Sequence, residues 1–151
     1  MPNSFTVERL LAKSRCMSTY VTRDCIASEK RTFNGTVFYE PIAGSLRGSP
    51  SEADAGVVMK RSGTASQARL RVILSGIIGE SSKVTLMKNG QTTGIQLDVL
   101  GSNDNDHQLF ETSSTVVATF ASGDTVYWKI EPKSSVSGRV FSVRSISIRI
   151  E

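Results

Sequence analysis

Residues 83–101 read KVTLMKNGQTTGIQLDVLG, and this stretch decides the fold class. Apolar residues occur at alternate positions on both sides of Asn89-Gly90, and a period of two is typical of a half-buried strand. Asn-Gly is the strongest short-range hairpin signal, because both central positions of a type I′ turn require positive φ. The stretch therefore predicts an antiparallel β-hairpin.

The same alternation recurs on both sides of this hairpin, with turn residues between the runs. The run at 108–120 is either one long bent strand or a pair of strands. The sequence contains no internal repeat and no convincing interior helix. Seven or eight such strands predict an all-β protein, an antiparallel β-sandwich or barrel. The further strand candidates are TFNGTVFYEPI (32–42), GVVMKR (56–61), ARLRVILSGII (68–78), QLFETSSTVVATF (108–120), TVYWKIEP (125–132) and GRVFSVRSISIRIE (138–151).

The apolar positions of these strands predict the core. In the last strand the inward set shifts from Phe141 and Val143 to Ile146 and Ile148, and this change of parity predicts a β-bulge near Arg144–Ser145. The side chains expected to be buried are Val72, Leu74, Leu86, Leu97, Val126, Trp128 and Ile148.

Composition limits the alternatives. A chain of 151 residues suits one domain, and 38% hydrophobic and 21% charged residues exclude a disordered tail or a fibrous repeat. No apolar run reaches the roughly 18 residues that span a bilayer, so we expect no membrane insertion. The first residues contain no apolar run of the length a secretory signal has, so no such signal is expected. Cys16 and Cys25 are free thiols or one short bridge.

The first part of the chain differs from the rest, so we divide it into an N-terminal arm or short helix (1–31) and a β-sandwich (32–151). Residues 1–31 carry six basic and three acidic side chains. Their apolar residues at helical spacing and their basic excess indicate an assembly arm that docks on a neighbouring subunit. The alternative makes the segment the first strand of the sandwich. The arm residues proposed for assembly are Val7, Arg9, Leu10, Leu11, Lys13 and Arg15.

The sequence contains few residues that could form a catalytic site. The sole histidine, His107, lies in the loop SNDNDHQ with Asp104 and Asp106, and that loop lacks the spacing and closing Glu of a calcium loop. No nucleophile elbow, zinc-protease motif, phosphate-binding loop or dinucleotide fingerprint occurs. We therefore expect no enzyme, no catalytic or metal site and no cofactor, and we treat Asp104, Asp106 and His107 as a candidate recognition loop.

Three segments carry a family resemblance: KVTLMKNGQ (83–91), STVVATFASGDTVYWKI (114–130) and FSVRSISIRI (141–150). They resemble the second half of the jelly roll of the tumour-necrosis-factor and complement globular-head superfamily, whose variants recur in viral capsid, spike and fibre-head proteins. The resemblance covers roughly residues 68–151, and it implies a jelly roll that forms trimers. The chain departs from secreted members because it lacks a collagen-like stalk and a dense aromatic trimer core.

Two functions follow as hypotheses. The first is a virion structural protein, a capsid, cement or spike subunit that assembles with itself as a homotrimer or symmetric shell and is located in the virion. Its further partners would be other virion proteins, a host receptor, or nucleic acid reached by the arm. The alternative is a trimeric receptor- or carbohydrate-binding module with loops 43–56 and 101–107 as its recognition surface.

Overall fold

The structure, a computed structural model, describes residues 23–33, 37–45, 49–75, 81–101, 107–112, 116–133 and 140–151. These residues form eleven strands and one short helix. In chain order the elements are β1 (Arg23–Phe33), β2 (Phe38–Glu40), β3 (Gly44–Ser45), α1 (Glu52–Ala55), β4 (Val57–Val58), β5 (Gly63–Ser75), β6 (Ser81–Lys88), β7 (Gln91–Leu100), β8 (His107–Glu111), β9 (Val117–Phe120), β10 (Thr125–Glu131) and β11 (Val140–Ile150).

The strands form two sheets whose pairings are nested. Sheet A has the order β3-β1-β11-β5, with β8 and β9 both pairing with the far side of β5. Sheet B has β2 and β4 along β10, followed by β6 and β7. In sheet A, β1 pairs with β11. In sheet B, β2 and β4 pair with β10, and in sheet A, β5 pairs with β8 and β9. The innermost pair is the hairpin β6–β7 of sheet B, so successive pairs alternate between the sheets. This is the nested order of a jelly roll, so the predicted antiparallel jelly-roll sandwich is confirmed.

The space between the sheets holds the core. All seven side chains expected to be buried are buried, and Trp128 is the largest of those that are fully enclosed. Each lies on a strand whose alternate residues face outward, as period-two alternation requires.

The bulge expected in β11 is also present. Val143 lies opposite Val72 and Ser145 lies opposite Arg71, so Arg144 is the extra residue on β11. The insertion restores the inward direction for Ile146, which is buried. Without the insertion, every later apolar residue of the strand would face outward.

The hairpin between β6 and β7 forms at the predicted turn. Asn89 and Gly90 have φ of 49° and 78°, the positive values that a type I′ turn needs at both central residues. Beyond the turn β7 contains its own irregularity, where the hydroxyl of Thr93 donates to the carbonyl of Leu86 and accepts from the amide of Ile95. The hydrogen bonds of the Thr93 hydroxyl replace part of the backbone hydrogen bonding that the irregularity interrupts between β6 and β7.

The first strand, β1, crosses the boundary that we placed between residues 31 and 32. Residues 23–31 form most of β1, which pairs with β11 and with the short parallel strand β3, so they belong to sheet A. The pairing with the long central strand β11 is why this segment is part of the sandwich. The helix expected before β1 lies outside the described residues, as do Cys16 and all six assembly-arm residues, and of Cys25 only the backbone is described.

The structure also shows how the segment 107–120 and the loop at 43–56 are arranged. Residues 107–111 and 117–120 are separate strands that lie along different parts of β5, one following the other, and they do not pair with each other. The loop at 43–56 contains β3 and α1, and backbone hydrogen bonds between Tyr39 and Ser49 attach it to β2.

Within the described part of the chain, no helix has the length and apolar character needed to cross a membrane.

Candidate functional site

Most of the recognition loop expected at 101–107 lies outside the described residues. Asp104 and Asp106 lie outside the described residues. His107 begins β8, with its backbone opposite Ile73, and its side chain is not described. Residues 43–45 and 49–56 of the loop at 43–56 are described, and the loop supplies Glu52 to the site below.

The outer surface of sheet B carries a regular array of polar side chains. Because Val126, Trp128 and Ile130 face the core, the residues between them face outward. One row across four strands consists of Tyr39, Lys129, Thr85 and Gln96, which are cross-strand neighbours. The next row consists of Glu131, Lys83 and Asp98. We call these seven residues the sheet B face.

Tyr39, at one end of the sheet B face, packs against the buried Tyr127. Tyr127 points to the outer side of β10 yet is only 2% exposed, because Met87, Ala55 and Tyr39 pack around it. The rings of Tyr39 and Tyr127 meet edge to face, with centroids 5.8 Å apart at 73°. The hydroxyl of Tyr127 donates to Oε2 of Glu52 at 2.7 Å, which holds α1 against the sheet. Tyr39 is therefore fixed on one side and partly exposed on the other.

The environment of these tyrosines raises both pKa values above their ordinary range. For each ring the largest cause is burial, which disfavours the phenolate, and a hydrogen bond to Glu52 adds to it. Both hydroxyls therefore remain protonated donors at neutral pH.

Two pairs of side chains on the sheet B face are held by mutual contacts. Nζ of Lys129 lies 2.9 Å from Oε1 of Glu131, and this contact raises the pKa of Lys129. On the edge strand, Nε2 of Gln96 donates to Oδ1 of Asp98 at 2.9 Å. Between these two pairs Thr85 is only 3% exposed and forms the floor.

Charge on the sheet B face is balanced, with two lysines opposed by two carboxylates. The first row spans about 14 Å, since neighbouring strands are about 4.8 Å apart. The face thus offers a tyrosine ring at one end and fixed donors and acceptors beside it, without net charge. Such a surface can bind an extended, uncharged, hydroxyl-rich ligand.

Sequence reasoning found only part of this site. It placed Trp128 in the core, where it is buried, but assigned no role to the outward residues beside it. The signal for the outward row was available in TVYWKIE, since inward Val126 and Trp128 require outward Tyr127 and Lys129. The contributions of Gln96 and Glu52 depend on strand pairing and on the path of α1, which no local pattern encodes.

No catalytic constellation or metal-ligating cluster is evident in the ranges that the structure describes. In particular, no three His, Cys, Asp or Glu side chains of those ranges converge in a way that could hold a metal ion.

Sequence comparison identifies no relatives. No protein-family model matches the chain, and no curated protein matches it.

Comparison with solved structures finds sandwiches of low similarity. A family 35 carbohydrate-binding module from Clostridium thermocellum has a TM-score of 0.45 and 11% identity, with 83% of this chain and 97% of that chain covered. A family 35 module from Cellvibrio japonicus has a TM-score of 0.46 and 15% identity, with coverage of 83% and 92%. The sugar-binding C-terminal domain of EclA has a TM-score of 0.41 and 14% identity, with coverage of 87% and 80%. These values are too low for the likeness to support a function.

Proposed function

We propose that this protein is a carbohydrate-binding module and that the sheet B face binds an uncharged oligosaccharide. The observation that carries the proposal is the row Tyr39, Lys129, Thr85 and Gln96 across four neighbouring strands, with a fixed aromatic ring at one end.

Sugar chemistry fits the row for two reasons. One face of a pyranose ring presents C–H groups, which pack on an aromatic ring such as Tyr39. Its hydroxyls are both donors and acceptors, so they match a surface on which an ammonium, amide and carboxylates are already held in place by mutual contacts. Side chains fixed before binding lose little conformational entropy when the ligand arrives.

The balanced charge of the sheet B face selects among sugars. An anionic sugar would meet Glu131 and Asp98, and a cationic ligand would meet Lys83 and Lys129. An uncharged ligand avoids both penalties. The ligand class proposed for this face is therefore a neutral oligosaccharide.

The test is a glycan microarray printed with neutral oligosaccharides, followed by calorimetry with the strongest binder. Tyr39→Ala removes the stacking ring and is expected to weaken binding by about tenfold or more. Gln96→Ala is expected to weaken it several-fold, whereas Gln91→Ala, on the same strand beside the hairpin turn and outside the face, is the matched control. The proposal is wrong if no neutral glycan binds, or if Tyr39→Ala and Gln96→Ala bind as tightly as Gln91→Ala.

Self-association, a place in the virion and the partners expected there stay predictions. Light scattering at micromolar protein concentration tests them directly. A monomer would contradict both the trimer and the shell, without affecting the carbohydrate proposal.

A further inference from the structure

The outer surface of sheet A differs sharply in charge from the sheet B face. On β5, Leu70 and Val72 are buried, so Arg69 and Arg71 face outward and are exposed. On β11, alternation around the bulge places Arg144, Ser145, Ser147 and Arg149 on the same side.

Strand pairing brings these arginines together with serines. Arg71 lies opposite Ser145, Arg69 opposite Ser147, and Arg149 opposite Ser66. Each of these three arginines therefore has a small hydroxyl side chain as its cross-strand neighbour. We call this set of arginines and serines, with Arg144 at the bulge, the arginine face. It extends roughly 17 Å along the strands, since antiparallel residues rise about 3.4 Å each.

Little negative charge offsets the arginine face. Among the side chains described on β5, β8, β9 and β11, one carboxylate lies on this surface, that of Glu111, which is 2.7 Å from Nε of Arg69. That pair is half exposed, with side-chain exposures of 52% and 48%, so solvent screens it. On the neighbouring strand β1, Asp24 is opposite Arg149 in register. The described side chains of this surface therefore keep a net positive charge, to which Arg71 and Arg144 contribute.

We propose that the arginine face binds a sulfated polysaccharide. A guanidinium presents a planar set of donors that matches two oxygens of a sulfate group, and a serine hydroxyl beside it supplies a further donor. Exposed Leu109, opposite Arg71, and exposed Val117, opposite Ser66, give apolar contact for the C–H surfaces of sugar rings. The ligand is thus a chain that carries both sulfates and sugar rings.

Two other occupants fit this surface less well. Single-stranded nucleic acid needs aromatic side chains for its bases to stack on, and the outward residues described on β5, β9 and β11 include none. A second copy of the same face would oppose guanidinium groups to guanidinium groups, which is unfavourable. This site is independent of the sheet B face, which lies on the opposite side of the sandwich.

The experiment measures binding of three probes to the full chain at about 0.15 M salt: heparin, chemically desulfated heparin and poly(U). We expect heparin to bind and the other two probes to bind far more weakly. The variant Arg69→Gln/Arg71→Gln/Arg144→Gln is expected to weaken heparin binding at least about tenfold and to lower the salt dependence by roughly one unit per arginine removed.

The matched control is Lys60→Gln/Lys88→Gln/Lys133→Gln, which removes the same charge from positions outside the arginine face. It is expected to weaken heparin binding less than about threefold, since screening limits distant charges. Circular dichroism and melting establish that each variant is folded, and Arg71→Gln alone replaces the triple variant if the latter is not. Tyr39→Ala is expected to bind heparin like the unmodified chain, which separates this proposal from the neutral-sugar site.

The proposal is overturned by any of three results. Heparin fails to bind, or the lysine control loses as much affinity as the arginine variant, or poly(U) binds as tightly as heparin. The second result would show that net charge alone is responsible, and the third would point to nucleic acid.

Discussion

Asn89 and Asp124 lie 35 positions apart in the chain and join two turns at one end of the sandwich. Nδ2 of Asn89 donates to Oδ1 of Asp124 at 2.7 Å, and Oδ1 of Asn89 accepts from the amide of Thr125 at 2.8 Å. The other carboxylate oxygen, Oδ2, accepts from the amide of Ala121. The Lys-Asn-Gly and Gly-Asp segments that carried the sequence resemblance are therefore in direct contact.

Replacing Asp124 by Asn should make stability less sensitive to acid. Hydrogen bonds from the Ala121 amide and from Asn89 lower the pKa of Asp124 below its ordinary value. A carboxyl with a lowered folded pKa stabilises above the unfolded pKa, near about 4, and this contribution is lost as the pH falls through the folded pKa. Melting temperatures of the unmodified chain should fall more steeply below about pH 4 than those of Asp124→Asn. Asp98→Asn is the control, and an identical acid profile for Asp124→Asn would contradict the prediction.

Two glycines of the β6–β7 hairpin should respond in opposite ways to alanine. Gly90 has φ of 78°, so Gly90→Ala places a side chain in the left-handed region and should cost about 1 kcal/mol of unfolding free energy. At Gly94 an added Cβ would meet Cγ1 of Val116 at 3.8 Å, an ordinary contact. Gly94→Ala should leave stability unchanged or raise it by up to about 1 kcal/mol. Urea unfolding of both variants checks this, and equal losses would refute it.

Trp128 should tolerate phenylalanine better than its complete burial suggests. Trp128→Ala removes the largest core side chain and should cost roughly 3–5 kcal/mol. The indole Nε1 is buried without a hydrogen-bond partner, so Trp128→Phe sacrifices no hydrogen bond and should cost clearly less. Chemical denaturation of both variants, with Val58→Ala as an exposed control, provides the measurement. Equal costs for the two core variants would contradict the prediction, because Trp128→Phe removes much less volume than Trp128→Ala.

Tyr127→Phe should make the free energy of unfolding less sensitive to high pH. Burial raises the pKa of Tyr127, and the hydrogen bond to Glu52 adds to the effect. A raised folded pKa gives a contribution that is complete below the unfolded pKa, near about 10, and is lost as the pH rises through the folded value. At neutral pH the variant should lose about 1 kcal/mol with its hydrogen bond to Glu52. Above pH 10 it should lose further stability more slowly than the unmodified chain, and denaturant titrations from about pH 7 to 11 follow this difference.

Two truncations distinguish an arm from a strand at the N-terminus. Deleting 1–22 leaves every described strand intact and should preserve cooperative melting. Deleting 1–28 removes more than half of β1, which pairs with β11, and should abolish cooperative melting. Circular dichroism during heating distinguishes these outcomes. A chain lacking 1–28 that melts like the full protein would restore the assembly-arm interpretation for those residues.

Features that depend on near neighbours in the chain could be predicted from the sequence. Alternation placed Val72, Trp128 and Ile148 in the core, and Asn89-Gly90 specified the turn. The parity change at Arg144 specified the bulge. Each of these signals lies within a few residues, because side-chain direction in a strand and the φ values of a turn are local properties.

Which distant residues share a surface depends on how the strands pair in the folded chain. The sequence of residues 23–31 left an arm and a strand both open, and pairing with β11 holds these residues in sheet A. Tyr39 and Gln96 share a row, and Arg71 and Ser145 are neighbours, because of strand register. Register between strands far apart in the chain arises from packing of the whole core, so no local pattern of residues contains it.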